Sequence, residues 1–418
     1  MLTPDYKNRY KSMRFLHTSD WHLGQRLQTN ERLAEHQKAL IWLIQTIDKQ
    51  QIECLIIAGD IFDIANPPSS AQQLYYTFLT NLLKTSCQHV VIIGGNHDSP
   101  SLLNAPKQLL SMLNIHVVGM ATERMEDQII ELKDQHGNLV AVIAAVPFLR
   151  DKDLKNSVSG ETATDRIVAI RQALRKHYED IGEKVAPYRQ FNIPILTTGH
   201  LYLKEVGFQE GRNNIYIGDC ANMETTHFPE VFDYVALGHI HRAYALGKIH
   251  YSGSLIPLSF SETKDEKIVK IVEVTANHLN VQDVAVPLYR RLKTVKKNYE
   301  SIFDRLLKLH EKYSNELPVW VDVLITDDKY VPNAEFELRH FVETRKLNLE
   351  LLHIRTTYQP LDMELEEDLT SLKDLEVISI FQRKCQSEGL SENEIEEMTS
   401  TFKELQSWMQ EREKDGEV

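Results

Sequence analysis

Val90-Val91-Ile92-Ile93-Gly94-Gly95-Asn96-His97-Asp98 is the stretch on which the fold reading turns. An apolar β-branched run ends at two glycines, and an amide, an imidazole and a carboxylate follow at once. Such a run fits a strand buried on both faces, opening into a tight loop at its C-terminal end. A helix from about Ser101 comes next. The same order stands upstream, where Arg14-Phe15-Leu16-His17-Thr18 runs into Ser19-Asp20-Trp21-His22. Leu33, His36, Leu40, Leu43, Ile44 and Ile47 then recur at helical spacing. Cys54-Leu55-Ile56-Ile57-Ala58 ends in Gly59-Asp60, and Pro67-Pro68-Ser69 announces another helix. Strand, loop and helix in repetition predict a mostly buried sheet with helices on its faces, an α/β architecture.

Further along, Gln128 to Leu132 and Leu139 to Val146 flank a His136-Gly137-Asn138 turn and read as a hairpin. A helix near Thr164 to Ile181 precedes two more apolar runs that end in polar clusters. Ile193 to Thr198 leads to Gly199-His200, and Tyr234 to Leu237 leads to Gly238-His239-Ile240-His241. Tyr244 to Leu246, His250 to Ser252, Ile268 to Val274 and Leu279 to Val286 read as antiparallel strands completing the layer, which closes near Pro287. From Leu288 to about Tyr358 strands and helices alternate again, as a small α+β domain. Pro360 marks a linker, and a helical tail follows it.

The 418 residues are too many for one ordinary core. A hydrophobic content of 42% with 26% charge excludes a mainly disordered or collagen-like chain. No apolar stretch reaches the ~18 residues of a membrane span, and Met1 to Ser12 lacks the apolar core of a signal peptide. Cys54, Cys87, Cys220 and Cys385 are scattered, as buried thiols of a reducing compartment are, so a cytoplasmic location is expected. The net charge of -13 is concentrated after Leu361, where 17 acidic residues face 6 basic ones. The body of the chain is close to neutral, which leaves a nucleic-acid substrate open there.

Five separated loops, each at the C-terminal end of a predicted strand, carry metal-ligand side chains: Asp20-x-His22, Asp60, Asn96-His97-Asp98, His200 and His239-x-His241. Open α/β sheets bind ligands outside the carboxyl ends of their strands. Each residue alone is ordinary loop chemistry. Together, after apolar runs and mostly beside a glycine, they point to a metal centre. Carboxylate, amide and imidazole without thiolate suit a hard or borderline divalent ion such as manganese rather than a structural zinc.

The ordered set Asp-x-His, Gly-Asp, Gly-Asn-His-Asp, Gly-His and Gly-His-x-His resembles the calcineurin-like metallophosphoesterases. Longer strings are similar to the SbcD family, the nuclease subunits of bacterial SbcCD complexes. They are His17-Thr-Ser-Asp-Trp-His-Leu-Gly24, Ala58-Gly-Asp-Ile-Phe-Asp63, Ala236-Leu-Gly-His-Ile-His-Arg242, Tyr251-Ser-Gly-Ser254 and Ile256-Pro257-Leu-Ser-Phe260. One departure is Leu255, where the family leads one to expect proline. The likeness runs from Met13 to Val286 and continues more loosely beyond, leaving residues 1–12 as an N-terminal extension.

The resemblance implies a helix-flanked β-sandwich nuclease domain over residues 13–287, an α+β capping domain over 288–358, and a linker with an acidic helical tail over 359–418. It implies two divalent ions, with manganese favoured and magnesium the alternative. Asp20, His22, Asp60 and His241 would hold one ion and Asp60, Asn96, His200 and His239 the other, with Asp60 bridging. His97 would act on the scissile phosphate and leaving oxygen, and Asp63 stands where phosphatase relatives place the carboxylate that orients this histidine. Such a site needs no nucleophilic side chain, because two ions about 3.5–4 Å apart activate a water and neutralise developing charge.

The implied activity is a 3′→5′ double-strand DNA exonuclease and a single-strand or hairpin endonuclease, serving DNA repair, recombination and replication. ATP would be hydrolysed by the SbcC partner, and this chain indeed carries no GxxxxGK[ST] loop. A phosphatase of the superfamily is expected to carry Gly-Asp-x-x-Asp-Arg-Gly, but Ile64-Ala65 follows Asp63 here. A small-molecule diesterase would share the site without needing a capping domain or tail. Arg290, Arg291, Lys293, Lys296 and Lys297, with Arg26, Arg150 and Arg242, are candidate DNA contacts or simply solvated charge. In the tail, Leu372, Leu375, Ile378, Phe381 and Cys385 form one apolar stripe, ended by Gly389. Ser391-Glu-Asn-Glu394 opens a second, of Ile395, Met398, Phe402, Leu405 and Met409. The resemblance gives residues 366–411 to the coiled-coil base of SbcC, the plainer reading being docking on the chain's own body. Homodimerisation within a heterotetramer is implied as well, with no membrane contact.

Overall fold

A computed structural model of the chain describes residues 13–154, 163–204, 223–275, 278–314, 317–327 and 331–356, together with a few residues between 381 and 402. The predicted extension 1–12, Cys220 and most of the tail stripes, including Leu372, Leu375, Ile378, Gly389, Leu405 and Met409, lie outside the described residues. The chain divides after Thr357 into two units.

In the first unit the apolar runs form two six-stranded sheets. One orders His278–Ala285, Ile268–Thr275, Met13–Thr18, Cys54–Ala58, His89–Ile93 and Ile115–Val118. The other orders Tyr244–Leu246, Ile249–Tyr251, Tyr234–Gly238, Ile195–His200, Leu139–Ala144 and Ile129–Lys133. Alternation along each strand assigns its two faces. Ile56 and Ala58 point between the sheets, against Ile143, Leu196 and Ala236. Leu55 and Ile57 point outward, under the helices Leu33–Lys49 and Ser69–Leu82. The helix Ala163–Val185 covers the outer face of the second sheet through Leu174, Tyr178 and Ile181. The helix expected from Ser101 is two short pieces, Pro100–Asn104 and Lys107–Ser111, separated at Pro106, which lacks a main-chain N–H. Ile249–Tyr251, expected as an antiparallel strand over His250 to Ser252, pairs antiparallel to Tyr244–Leu246 but parallel to Tyr234–Gly238.

Strands Leu292–Lys297, Val319–Ile325 and Leu349–Thr356 form a parallel three-stranded sheet. Helices Tyr299–Tyr313 and Ala334–Thr344 give it a core of its own, with Ile302, Leu306, Val321, Val323 and Leu338. Its joint to the sandwich is polar and buried. Glu35 accepts from Arg32 Nε at 3.2 Å and Arg290 Nε at 2.9 Å, and Arg290 lies over the Trp320 ring at 4.3 Å. Arg290 therefore belongs to the fold, and a carboxylate shared by two guanidiniums is what makes its burial tolerable. In the second unit, Phe381 and Phe402 stack with centroids 4.3 Å apart and Cys385 is buried, so the two predicted stripes meet at least there.

Histidines in these cores make stability acid-sensitive. Burial, then Arg32, lowers the pKa of His36 to about 3, and burial, then Lys270, lowers that of His250 to about 4. The unfolded chain takes up these protons below about pH 6.5 whereas the fold refuses them until about pH 3–4, so stability falls with pH across that window. Each group contributes up to about 1.4 kcal/mol per pH unit there. Asp98, whose pKa burial and Asp60 raise, offsets part of this. Calorimetry in the presence of a chelator should show Tm falling between pH 6.5 and 4.5; a flat or rising Tm would contradict it.

Candidate metal centre

Each predicted site residue follows or ends a strand. Asp20 and His22 follow Met13–Thr18, Asp60 follows Cys54–Ala58, and Asn96 and His97 follow His89–Ile93. His200 ends Ile195–His200, and His239 and His241 follow Tyr234–Gly238. Three loops of one sheet and two of the other meet at a single edge of the sandwich. Main-chain bonds lace the loops together: Asp20 N to Gly59 O at 3.0 Å, His22 N to Asp60 O at 3.0 Å, and Leu23 N to Ile61 O at 2.9 Å. Asp20, His22, Asp60 and His239 all have positive φ, at 52°, 47°, 50° and 95°. Side chains adopt this region at a cost of about 1–3 kcal/mol, and its concentration on four predicted ligands marks backbone held for function. At Gly95 a Cβ would collide with the Asp60 carboxylate and main-chain nitrogen, so only glycine lets the two loops approach.

The ligand atoms converge in overlapping groups. Asp20, His22 and His241 lie within 4.8 Å of one another, as do Asp20, Asp60 and His200, and also His22, Asp60 and His97. Asn96 Oδ1 stands 2.9 Å from His200 Nε2 and 3.0 Å from His239 Nδ1. Asp60 is common to both sides: its Oδ2 is 3.2 Å from His200 Nε2 and 3.5 Å from His22 Nε2, and its Oδ1 accepts from His97 N at 2.9 Å.

Four imidazoles are anchored through Nδ1. His22 reaches the Asp63 carboxylate at 3.1 Å, His97 the Asp63 carbonyl at 2.6 Å, His200 the Ala58 carbonyl at 2.9 Å and His241 the Glu262 carboxylate at 3.2 Å. A partner on Nδ1 fixes the tautomer and gives Nε2 the lone pair for a metal or substrate. His22 Nε2 is buried and has no hydrogen-bond partner, which is an expensive condition unless a cation meets it.

The electrostatics agree. Burial alone would raise the Asp60 pKa, but His200, His22 and His97 hold it well below the usual carboxylate range. Burial would lower that of His200, yet Asp60 and then Asp20 push it up to about 9. A buried carboxylate ringed by imidazoles is a place that favours positive charge, so these residues fit divalent ions.

The expected pairing of the Asp63 carboxylate with His97 is not what the side chains do. The carboxylate turns to His22, a predicted ligand, and the main-chain oxygen of Asp63 takes His97 instead. One residue can serve both because the two rings are neighbours, edge to face with centroids 4.9 Å apart. Asp98, expected with its loop to carry a ligand side chain, is a brace instead, and further contributors escape a reading by residue type. The Asp98 carboxylate accepts from Ile61 N, Phe62 N and Gly95 N at 3.2, 2.9 and 2.9 Å, tying the Asp60 loop to the Asn96 loop. Ser19 Oγ donates to Asp20 Oδ2 at 2.5 Å and meets Ser252 Oγ at 2.9 Å. Glu262 had no signal of its own; only the neighbouring Ser-Gly-Ser string hinted that this region serves the site. Of the basic candidates, Arg26, Arg150 and Arg242 engage Glu31, the Asp98 carbonyl and Asp265 at 2.5, 3.1 and 2.8 Å.

Residues 13–243 match the family of calcineurin-like phosphoesterases, and residues 288–388 match the type 5 capsule protein repressor C-terminal domain. The SbcD component of the nuclease SbcCD from Escherichia coli (strain K12) is 35% identical over 399 residues, 93% of this chain and 97% of that protein. Its counterpart in Bacillus subtilis (strain 168) is 28% identical over 415 residues, 96% of this chain and 100% of the other. Among solved structures, a dimetal phosphatase from Danio rerio superposes with a TM-score of 0.41 and 12% identity, covering 66% of this chain and 97% of its own, a likeness on which nothing rests.

Proposed function

The chain belongs to the calcineurin-like phosphoesterase family, among the SbcD proteins of SbcCD nucleases, and from that premise we propose that it is a metal-dependent DNA nuclease hydrolysing phosphodiesters. The observation that carries this reading is the convergence of Asp20, His22, Asp60, Asn96, His200, His239 and His241 in overlapping groups, with His97 beside them and His22 Nε2 buried without a hydrogen bond. Asp20, His22, Asp60 and His241 would hold one divalent ion, and Asp60, Asn96, His200 and His239 the other. Manganese suits the mixed oxygen and imidazole set best, with magnesium the alternative. When bound, the pair supplies an activated water and neutralises charge on the phosphoryl oxygens.

The protein's own contribution is orientation. Nδ1 of His97 donates to the Asp63 carbonyl and so orients the ring; in the imidazolium form Nε2 carries a second proton, which can pass to the leaving oxygen and leave the neutral imidazole behind. Asp63 is a positioning residue for His97 through its main chain and for His22 through its carboxylate. Ile64, half exposed, stands where a monoester phosphatase would need an arginine clamp, which favours a diester.

In this reading residues 13–287 form the nuclease domain, 288–358 cap it, and 359–418 join the ATPase partner SbcC through residues 366–411. Activity on duplex ends would be 3′→5′, with endonuclease action on single strands and hairpins, ATP being spent by SbcC in DNA repair, recombination and replication. Lys293, Lys296 and Lys297 remain candidate DNA contacts, Lys296 and Lys297 being exposed. A homodimer is part of the proposal, and exposed Tyr76, Leu83, Leu109 and Met112 on and beside the helical segments after Pro68 and Pro100 support it. No helix among the described residues is long and apolar enough to cross a membrane, and a cytoplasmic location suits a DNA substrate.

Digestion of a 5′-end-labelled duplex by the full chain, with and without SbcC and ATP, tests the proposal. Manganese-dependent shortening from the 3′ end that requires the partner is expected, alongside partner-independent hydrolysis of a small diester. Failure to cleave either substrate under manganese would overturn it.

A further inference from the structure

Behind His241 lies an assembly that the ligand set does not need for its composition. Glu262 Oε1 accepts from His241 Nδ1 at 3.2 Å. Its other oxygen takes Lys267 Nζ at 2.6 Å and Leu258 N at 3.1 Å. The buried ammonium of Lys267 spends its remaining donors on the His241 carbonyl at 2.8 Å and Ser254 Oγ at 2.9 Å. Two residues before Ser254, Ser252 meets Ser19, which in turn holds Asp20. Gly253 between them has φ 75°, and a Cβ there would press on the His241 carbonyl and Ala243 N at 2.8 and 2.9 Å.

The short Ser252-Gly253-Ser254 loop thus braces Asp20 on one side and His241 on the other; Asp20 also accepts from His239 N at 2.9 Å, so it is the His241 arm that is confined to one half. The opposite half is held differently. His200 is fixed by the main-chain carbonyl of Ala58, and Asn96 Oδ1 by the imidazoles it faces.

We propose that Glu262, locked by Lys267 and Ser254, is a positioning residue for one ion only, so that the half formed by Asp20, His22 and His241 has its affinity set independently of the half formed by Asn96, His200 and His239. This rests on the two-ion reading above. The carboxylate fixes the His241 tautomer, turns Nε2 inward and raises its basicity, and Lys267 balances the charge so that the carboxylate itself is not a competing ligand. Loss of such an outer partner typically weakens metal binding about 10–100-fold. Here the loss should fall on one ion alone.

The test is a manganese titration of the chelator-stripped full chain, following free Mn2+ by its electron paramagnetic resonance signal. The unaltered chain should bind two ions. Glu262→Gln should bind one as before and the second about 10–100-fold more weakly, and Lys267→Met should weaken the same single ion. Equal weakening of both ions, or none, in a variant whose circular dichroism matches the parent would overturn the proposal. Should Glu262→Gln fail to fold, Ser254→Ala, which removes a partner of Lys267 and Glu262, reads the same half with the same expected selectivity and the same contrary result. An unaltered chain that binds fewer than two ions would instead bring down the two-ion reading, and the two failures are thereby told apart.

Discussion

His97→Ala should bind as many divalent ions as the unaltered chain while its kcat on a small phosphodiester falls about 10²–10⁴-fold, the usual weight of a positioned general acid. The expectation follows from where the ring is held. Nδ1 of His97 is taken by the Asp63 carbonyl at 2.6 Å, and its main-chain N–H, which alanine keeps, donates to Asp60 at 2.9 Å. Truncation removes the imidazole without releasing the Asp60 loop. His97 does lie within ligand distance of His22 and Asp60, so a ligand role is the alternative that the experiment must separate. Metal content by mass spectrometry beside steady-state rates does so. An inactive variant stripped of one ion would make His97 a ligand rather than an acid.

Asp60→Asn should do the reverse, emptying both halves of the centre and bringing hydrolysis to background. Asp60 stands between His22 and His200, its Oδ2 at 3.5 and 3.2 Å from their Nε2 atoms, so its charge would be shared by cations on either side. Asparagine keeps the shape, including the acceptor for His97 N, and removes only the charge and one lone-pair donor. With imidazoles on both sides and no carboxylate between them, two dications would repel each other across a poorly screened gap. Calorimetric titration with manganese should show no tight site. Retention of two ions with unchanged affinity would show that Asp60 does not bridge.

Much of this was legible in the chain because the centre is built from loop residues that directly follow apolar runs. Asp20, His22, Asp60, Asn96, His97, His200, His239 and His241 each sit next to a strand end, where residue type and position coincide, and the folded chain gathers all of them at one edge. What the apolar runs left open is the number of layers. A strand buried on both faces reads as an unbroken run whether it faces helices or another sheet, so Leu55 under the helices and Ile56 between the sheets look alike in sequence.

The residues that hold the ligands were harder to see for a different reason. Glu262 serves His241 across 21 positions, and Arg290 meets Glu35 across 255; no local spacing connects such pairs. Asp63 misled in another way, since its carbonyl, which every residue possesses, does the work assigned to its side chain.

The central claim is that two divalent ions share Asp60 in this cleft. Anomalous diffraction at the manganese absorption edge, on crystals of the full chain grown with Mn2+, addresses it most directly. Two peaks flanking the Asp60 carboxylate, one toward His241 and one toward His239, are expected. A single peak, or none, would contradict the account.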